Sequence, residues 1–476
     1  MTKKIIVQSI TILSISVVFA ACKSLNVAEN KANTTVPVSY TEVQDTTNMA
    51  SVKWKTFFTD PYLNALIDTA LQNNQELNIM LQEIEVSRNE IRAKKGEYLP
   101  LLNGKGSAGV DKSARYTRNG ALEANTQIEP GRAFPDPLGD FMIGAYATWE
   151  VDIWHKLRNA KKAAVYHYLA SIEGKNFMVT NLVSEIARSY YELIAQDNHL
   201  DLVKQNIQIL SDALEIVKLQ KEAARTTQLA VVRFEAEVLK VKSQQFIIQQ
   251  QITESENRIN FLLGRFGQPI QRNATGFINL VPDTIHAGIP SQLLANRPDI
   301  KQAENNLAAA KLDIKVAKAR FYPSLGISAG VGLQAFNPTY FIKTPESLLF
   351  SLAGDLVAPL VNRNAIKADY YSANAKQVQA AFNYEQTILN AFVEVSNQVA
   401  KVSNLEKTYS FKAQQVSLLQ QSRDISVDLF KSARANYMEV LLTQRDVLEA
   451  RVELIETKKD QLNAVVNMYR ALGGGW

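Results

Sequence analysis

Two kinds of hydrophobic repeat run through this chain, one helical and one extended. Leu200, Val203, Ile207, Leu210, Leu214 and Val217 step by three and four, and Leu202, Ile209 and Ile216 form a second seam beside them. Leu441, Leu448, Ile455, Leu462 and Tyr469 recur every seven residues, as do Val231, Val238, Ile252 and Ile259 with Gln245 interrupting. From about Lys156 to Ala223 there is no proline, and only Gly174 breaks a run of good helix formers. At 1.5 Å per residue this is roughly 100 Å of rod, more than a globular core requires. Two seams on one helix mean neighbours on two sides, as in a wall or cylinder of helices. A simple antiparallel hairpin needs one seam per helix.

The extended pattern has period two. Leu325, Ile327, Ala329, Val331 and Leu333 alternate with Gly326, Ser328, Gly330, Gly332 and Gln334. Phe141, Ile143, Ala145, Ala147, Trp149 and Val151 alternate in the same way with Met142, Gly144, Tyr146, Thr148, Glu150 and Asp152. Leu101 to Asp111 and Leu348 to Val357 are two weaker candidates, and each segment has the length a tilted strand needs to cross a bilayer. Four strands cannot close a barrel, and lipid does not tolerate an open sheet edge, so the pattern demands an oligomer. A dimer would supply eight strands and a trimer twelve.

The chain also repeats itself. Ile84 to Pro100 aligns without gaps on Leu307 to Pro323 at an offset of 223, and Asn260 to Gly264 matches Tyr469 to Gly473 at an offset of 209, a longer first loop absorbing the difference. Both halves read helix, strand, loop, strand, long helix, turn, long helix, and the join lies near Pro269 to Pro290. The expected layout is a signal peptide over 1–21, an N-terminal tether over 22–60, a first repeat over 61–268 and a second over 282–476.

The N-terminus sets the compartment. Lys3 and Lys4 precede an apolar run from Ile10 to Phe19 and then Ala20-Ala21-Cys22, a secretory signal too short to span a bilayer. Phe19-Ala20-Ala21-Cys22 resembles the bacterial lipobox, with Phe19 where Leu is usual, which makes the single cysteine a candidate lipid anchor. Lys23 follows it, so the Asp that would signal inner-membrane retention is missing. Beyond residue 22 no apolar run reaches ~18 residues, leaving strands as the only means of spanning a membrane.

Composition narrows the chemistry. The 476 residues are 46% hydrophobic and 21% charged, enough for a sizeable core, and a net charge of +5 without a basic stripe makes nucleic acid a poor partner. One cysteine excludes an intramolecular disulfide, and four scattered histidines argue against a metal-enzyme site. Gly330-Val331-Gly332-Leu333-Gln334-Ala335 has the look of a dinucleotide loop but lies inside an alternating strand with no helix after it. No HExxH, GxSxG, P-loop or CxxC occurs, so neither an enzyme nor a cofactor is expected.

Several motifs converge on one family. Trp149 to Trp154 (WEVDIW) with Lys156-Leu157-Arg158, Leu294 to Ile300 (LANRPDI), Tyr322-Pro323-Ser324-Leu325, Pro359-Leu360 and the ending Ala471 to Trp476 resemble the TolC-like outer-membrane efflux channels, in their OprM-like lipoprotein branch. The resemblance implies an α+β, mainly α chain. Three copies would form a 12-stranded barrel in the outer membrane, four strands from each, continued by a long periplasmic α-helical barrel. It implies that a periplasmic adaptor (membrane fusion) protein meets the helical tips, and that an inner-membrane pump of the resistance-nodulation-division type delivers substrate. A lipid-anchored coiled-coil scaffold without a pore is the alternative reading. Where the family has Gly at the strand-to-helix junction this chain has His155, so the junction is expected to form without a free φ. Ala224 and Ala433 replace the usual tip glycines, so the tips are expected to turn at Arg225-Thr226-Thr227 and Arg434-Ala435-Asn436, with Asn436 in the left-handed region. The resemblance marks Ala224, Arg225, Thr226, Ala433 and Asn436 for adaptor docking. Glu439 matches an acidic gate position, the alternative being a solvated Glu on an outer helix face; Arg434 is a candidate to hold the tip shut, and Ala230 is the equivalent of Glu439 in the first repeat.

Overall fold

A computed structural model describes residues 31–40, 52–280, 287–361, 363–432 and 434–474. The signal segment, Cys22 and Ala433 lie outside the described residues. The helices are α1 (Trp54–Phe57), α2 (Pro61–Asn73), α3 (Gln75–Tyr98), α4 (Arg118–Asn125), α5 (Lys156–Glu222), α6 (Gln228–Leu262), α7 (Leu293–Asn296), α8 (Pro298–Ala319), α9 (Asn364–Lys431) and α10 (Tyr437–Ala471). The strands are β1 (Leu101–Asp111), β2 (Gln127–Glu129), β3 (Arg132–Ala133), β4 (Leu138–Val151), β5 (Ser324–Ala335) and β6 (Leu348–Val357). No helix among the described residues is long and apolar enough to cross a membrane.

The chain divides into two compact units. The sheet unit gathers Glu85–Leu169 and Asn305–Phe382, and the helical unit gathers Ala32–Ile84, Ala170–Glu304 and Asn383–Trp476. In the sheet unit β1, β4, β5 and β6 form one antiparallel sheet in the order β1-β4-β5-β6, while β2 and β3 form a small hairpin. Strand β4 begins three residues before the alternation starting at Phe141, because Gly139 lies opposite Val110 and extends the β1 ladder.

In the helical unit the heptad seams pack as the period requires. Val203, Leu210 and Val217 of α5 are buried against Val231, Phe234, Val238, Val241 and Ile248 of α6. Phe234, Val241 and Ile248 supply the intermediate heptad positions, so Gln245 interrupts only one of the two rows. The second α5 seam divides: Leu202 is buried in the core, whereas Ile209 and Ile216 are exposed. A second cluster joins Leu63, Ile67, Ile186, Tyr190, Ile259 and Tyr469, with Phe57 stacked on Tyr469 at 4.1 Å.

Two corners of this unit are built alike. Helices α6 and α10 both end on a left-handed glycine, Gly264 (φ 65°) and Gly473 (φ 86°). The amides of Arg265 and Gly474 donate back to the carbonyls of Asn260 and Tyr469, the bond that closes a Schellman turn. Asn74 donates from Nδ2 to the Leu262 carbonyl at 3.0 Å, and Arg297 donates from Nη1 to the Ala471 carbonyl at 2.7 Å. Asn74 and Arg297 stand 223 positions apart and the two carbonyls 209, the offsets of the sequence repeat.

Candidate functional site

The ladder registers assemble a wall with two chemically distinct faces. Phe141, Ile143, Ala145, Ala147 and Trp149 of β4 lie opposite Ala335, Leu333, Val331, Ala329 and Ile327 of β5. Val331 and Ala329 lie in turn opposite Phe350 and Leu352 of β6, while Ala147 and Phe141 lie opposite Leu102 and Ala108 of β1. Because opposed residues share a face, one side of all four strands is apolar. It is also bare: Leu102, Ile143, Val331, Phe350 and Leu352 are all more than half exposed. The other side carries Asn103, Lys105, Ser107, Tyr146, Thr148, Glu150, Ser328, Gln334 and Asp355, with Gln334 Nε2 donating to Asp140 at 2.7 Å. Among the described residues both edge strands, β1 and β6, are unpaired on their outer sides.

The WEVDIW segment makes the joint between wall and helix. Asp152, with a side chain 1% exposed, accepts the backbone N–H groups of Leu157 at 3.0 Å and Arg158 at 2.9 Å, satisfying first-turn donors of α5 that have no partner within the helix. Trp149 and Trp154 donate their indole N–H groups to the carbonyls of Tyr98 and Pro323, and the Trp154 ring stacks on Tyr322. Arg158 lies over the Tyr98 ring at 5.7 Å, and Arg363 lies over the Phe321 ring at 5.0 Å. The expectation of a junction without a free φ is overturned: His155 itself takes φ 59°. Histidine enters the left-handed region more readily than most residues, and the Asp152 cap offsets the strain. Within the WEVDIW signature, the position of Asp152 just before a helix start is the sequence signal of this cap.

The hairpin tips also depart from expectation. The first turn runs through residues 223–227, as expected for Arg225-Thr226-Thr227, but its left-handed residue is Ala224, with φ 55°. The Ala224 and Arg225 amides donate to the carbonyls of Lys221 at 3.0 Å and Gln220 at 2.8 Å, so alanine occupies the glycine place of a Schellman turn. At the second tip the Arg434 amide donates to the Leu429 carbonyl at 2.8 Å in the same manner. Asn436 is not left-handed: at φ −94° and ψ 163° it is the extended N-cap of α10, accepting from Met438 N at 2.9 Å and Glu439 N at 3.1 Å. Its side chain caps the helix without needing a positive φ.

Phe430, Tyr437 and Leu441 pack on the cluster that holds Val217, Ala230 and Val231, which makes the two tips neighbours. Arg225, Arg434, Asn436 and Glu439 are exposed, Thr226 is half-buried, and Ala230 is fully buried. Glu439 and Ala230 therefore differ in environment as well as in charge. No ion pair joins Arg434 to an acidic side chain among the described residues.

The two-faced four-stranded wall and the long heptad helices define an outer-membrane channel architecture. The family model described as Outer membrane efflux protein matches residues 66–265 and 289–474, and the chain belongs to that family. The chain is 26% identical over 429 residues to the cation efflux system protein CusC of Escherichia coli O6:H1, covering 90% of this chain and 89% of that one. It is 26% identical over 474 residues to the probable outer membrane lipoprotein SilC of Salmonella typhimurium, covering 98% of each. A crystal structure of CusC superposes with a TM-score of 0.82 at 25% identity, over 95% of this chain and 100% of that one. The protein is an efflux channel component of the outer membrane.

Proposed function

We propose that three copies of this chain close one 12-stranded barrel, and that the α5–α6 and α9–α10 hairpins continue it as a periplasmic conduit. The observation that carries this reading is the open four-stranded sheet, apolar on one face and largely polar or small on the other, with both edges unpaired among the described residues. Lipid leaves such a sheet only one solution, closure by further copies with the apolar face outward. The exposed Ile209 and Ile216 of the second α5 seam supply the apolar row that a neighbouring helix in a cylinder would cover. The matched corners at Asn74 and Arg297 support two tandem repeats, 61–268 and 282–476, as the unit of this architecture.

The chain serves as the passive exit duct of a tripartite system, with a periplasmic adaptor and an inner-membrane pump of the resistance-nodulation-division type. The adaptor docks on the tips at Ala224, Arg225, Thr226, Ala433 and Asn436, and the pump chooses the cargo. Three copies of Glu439 form an acidic ring at the tip that favours cations, with Arg434 beside it. Cys22 receives a lipid after removal of residues 1–21, in keeping with the lipoprotein description of SilC. Planar-bilayer recording of the purified protein tests the duct: discrete channels are expected, and a membrane-anchored oligomer that gives none removes it. Mass spectrometry of the mature N-terminus should find an acylated Cys22, and an unmodified one removes the anchor.

A further inference from the structure

The polar face of the wall holds one large ring in an unusual position. Tyr146 of β4 lies opposite Gly330 of β5, and a Cβ added at Gly330 would stand 2.8 Å from two carbons of the Tyr146 ring and 3.0 Å from Ser351 Oγ. A Cβ at Gly144, two residues earlier on the same strand, would lie 3.4 Å from another carbon of the ring. The Tyr146 hydroxyl donates to the Met142 sulfur at 3.0 Å, four residues away on the same strand and face. The Lys105 ammonium, from β1, approaches the same ring at 6.0 Å from its centroid. The ring thus lies over the space left by the absent side chain of Gly330, while Gly144 is held to glycine by the Val331 carbonyl oxygen, 2.8 Å from where its Cβ would stand.

We infer that Gly330 sets the bore of the barrel: its missing side chain is the slot that lets Tyr146 lie against the wall, so that ring and Lys105 line the passage without obstructing it. The inference rests on the proposed closed barrel, whose interior is the polar face. A methyl group at Gly330 would fall inside the distance that real Cβ contacts keep, and the ring would have to lift. The clash comes from the wall beneath the ring, which leaves the passage as the direction of escape. Gly326 provides the matched comparison. It is on the same strand and the same face, yet a Cβ there meets only the Asp355 carbonyl oxygen at 3.9 Å, an ordinary contact.

The test is polymer exclusion in planar bilayers, with polyethylene glycols of graded size added on the barrel side, which reads the barrel independently of the tips. Gly330→Ala should lower the exclusion size and Gly326→Ala should leave it at the wild-type value, although each adds one methyl group to the interior. Gly330→Ala/Tyr146→Ala should restore it. Equal exclusion sizes for the two alanine variants, or a double variant that stays narrow, overturn the inference while leaving a conducting wild type intact as a duct. A wild type that forms no channels overturns the duct reading and this inference with it. Should Gly330→Ala fail to assemble, the double variant decides, since removing the ring removes the clash: recovered assembly supports the slot, and continued failure overturns it.

Discussion

The corner at Asn74 and the corner at Arg297 perform one task with different chemistry. Each pins the start of a helix, α3 or α8, to the last turn of a returning helix, α6 or α10. Asn74 does so as a neutral amide, whose other atom, Oδ1, accepts from Leu77 N at 2.9 Å and caps α3. Arg297 grips Asp299 through Nε at 3.0 Å and Nη2 at 2.7 Å, reaches Glu394 at 2.8 Å, and leaves Glu394 to take Arg470 at 2.5 Å. Its side chain is 7% exposed, so the guanidinium has exchanged water for two carboxylates and a carbonyl. The difference teaches that this corner geometry is fixed by a carbonyl and a glycine, while the donor that meets the carbonyl is free to vary.

The largest expected effect comes from breaking the charged corner. Arg297→Ala leaves Asp299 partly buried without its cation and takes from Glu394 one of its two, Arg470 remaining, a loss of about 3–5 kcal/mol. Asn74→Ala forfeits one hydrogen bond and one cap, about 1–3 kcal/mol. Thermal denaturation of the two variants in detergent should separate them in that order. Equal losses would mean that the ion network adds nothing beyond the shared carbonyl bond.

The glycines sharpen the shared part of the comparison. A Cβ at Gly264 would stand 2.3 Å from the Asn73 carbonyl oxygen, and one at Gly473 would stand 2.7 Å from the Asn296 carbonyl oxygen. Left-handed strain alone costs about 1–2 kcal/mol, and these are rigid backbone contacts, so Gly264→Ala and Gly473→Ala should each lose more than that. The same denaturation series should show both impaired. A variant as stable as wild type at either site would separate the two corners.

How much of this was legible in the sequence follows from the same contrast. The strands at 101–111 and 348–357 and the long helix over 156–222 could be read from periodicity, because a buried or lipid-facing stripe leaves a period in the sequence. LANRPDI was visible as a motif, yet its meaning was not, since Glu394 and Ala471 meet Arg297 only through folding. Asn74 is legible only as a cap before α3; its bond to the Leu262 carbonyl comes with folding. The turns at His155, Ala224 and Asn436 defy residue type: a histidine and an alanine take positive φ, and an asparagine does not. Hydrogen bonds to the helix ends decide each case: side-chain caps at Asp152 and Asn436, and backbone bonds at Ala224.

A smaller contrast lies at the tips, where Asn436 caps α10 with two hydrogen bonds and Thr227 begins α6 with no side-chain cap bond. Asn436→Ala should therefore lose about 1 kcal/mol, while Thr227→Ala should lose only a few tenths. Hydrogen exchange of the first-turn amides of α6 and α10 reads this locally. Faster exchange in α10 alone is the expected result, and equal acceleration at both tips would show that the two are capped alike.

The smallest effect is a gain. Ala224 holds φ 55°, a conformation that costs an alanine about 1–2 kcal/mol and a glycine almost nothing. Glycine also has more freedom to lose from the unfolded chain, about 0.4–1 kcal/mol, so the net stabilisation from Ala224→Gly should be about 0.5–1 kcal/mol. Ala223, one position earlier, has no positive φ, so Ala223→Gly carries the entropy cost without the relief of strain and should destabilise. Opposite signs at adjacent alanines are the expected outcome in slowed and accelerated amide exchange around Ala223–Arg225. If both substitutions weaken the tip, Ala224 is not strained.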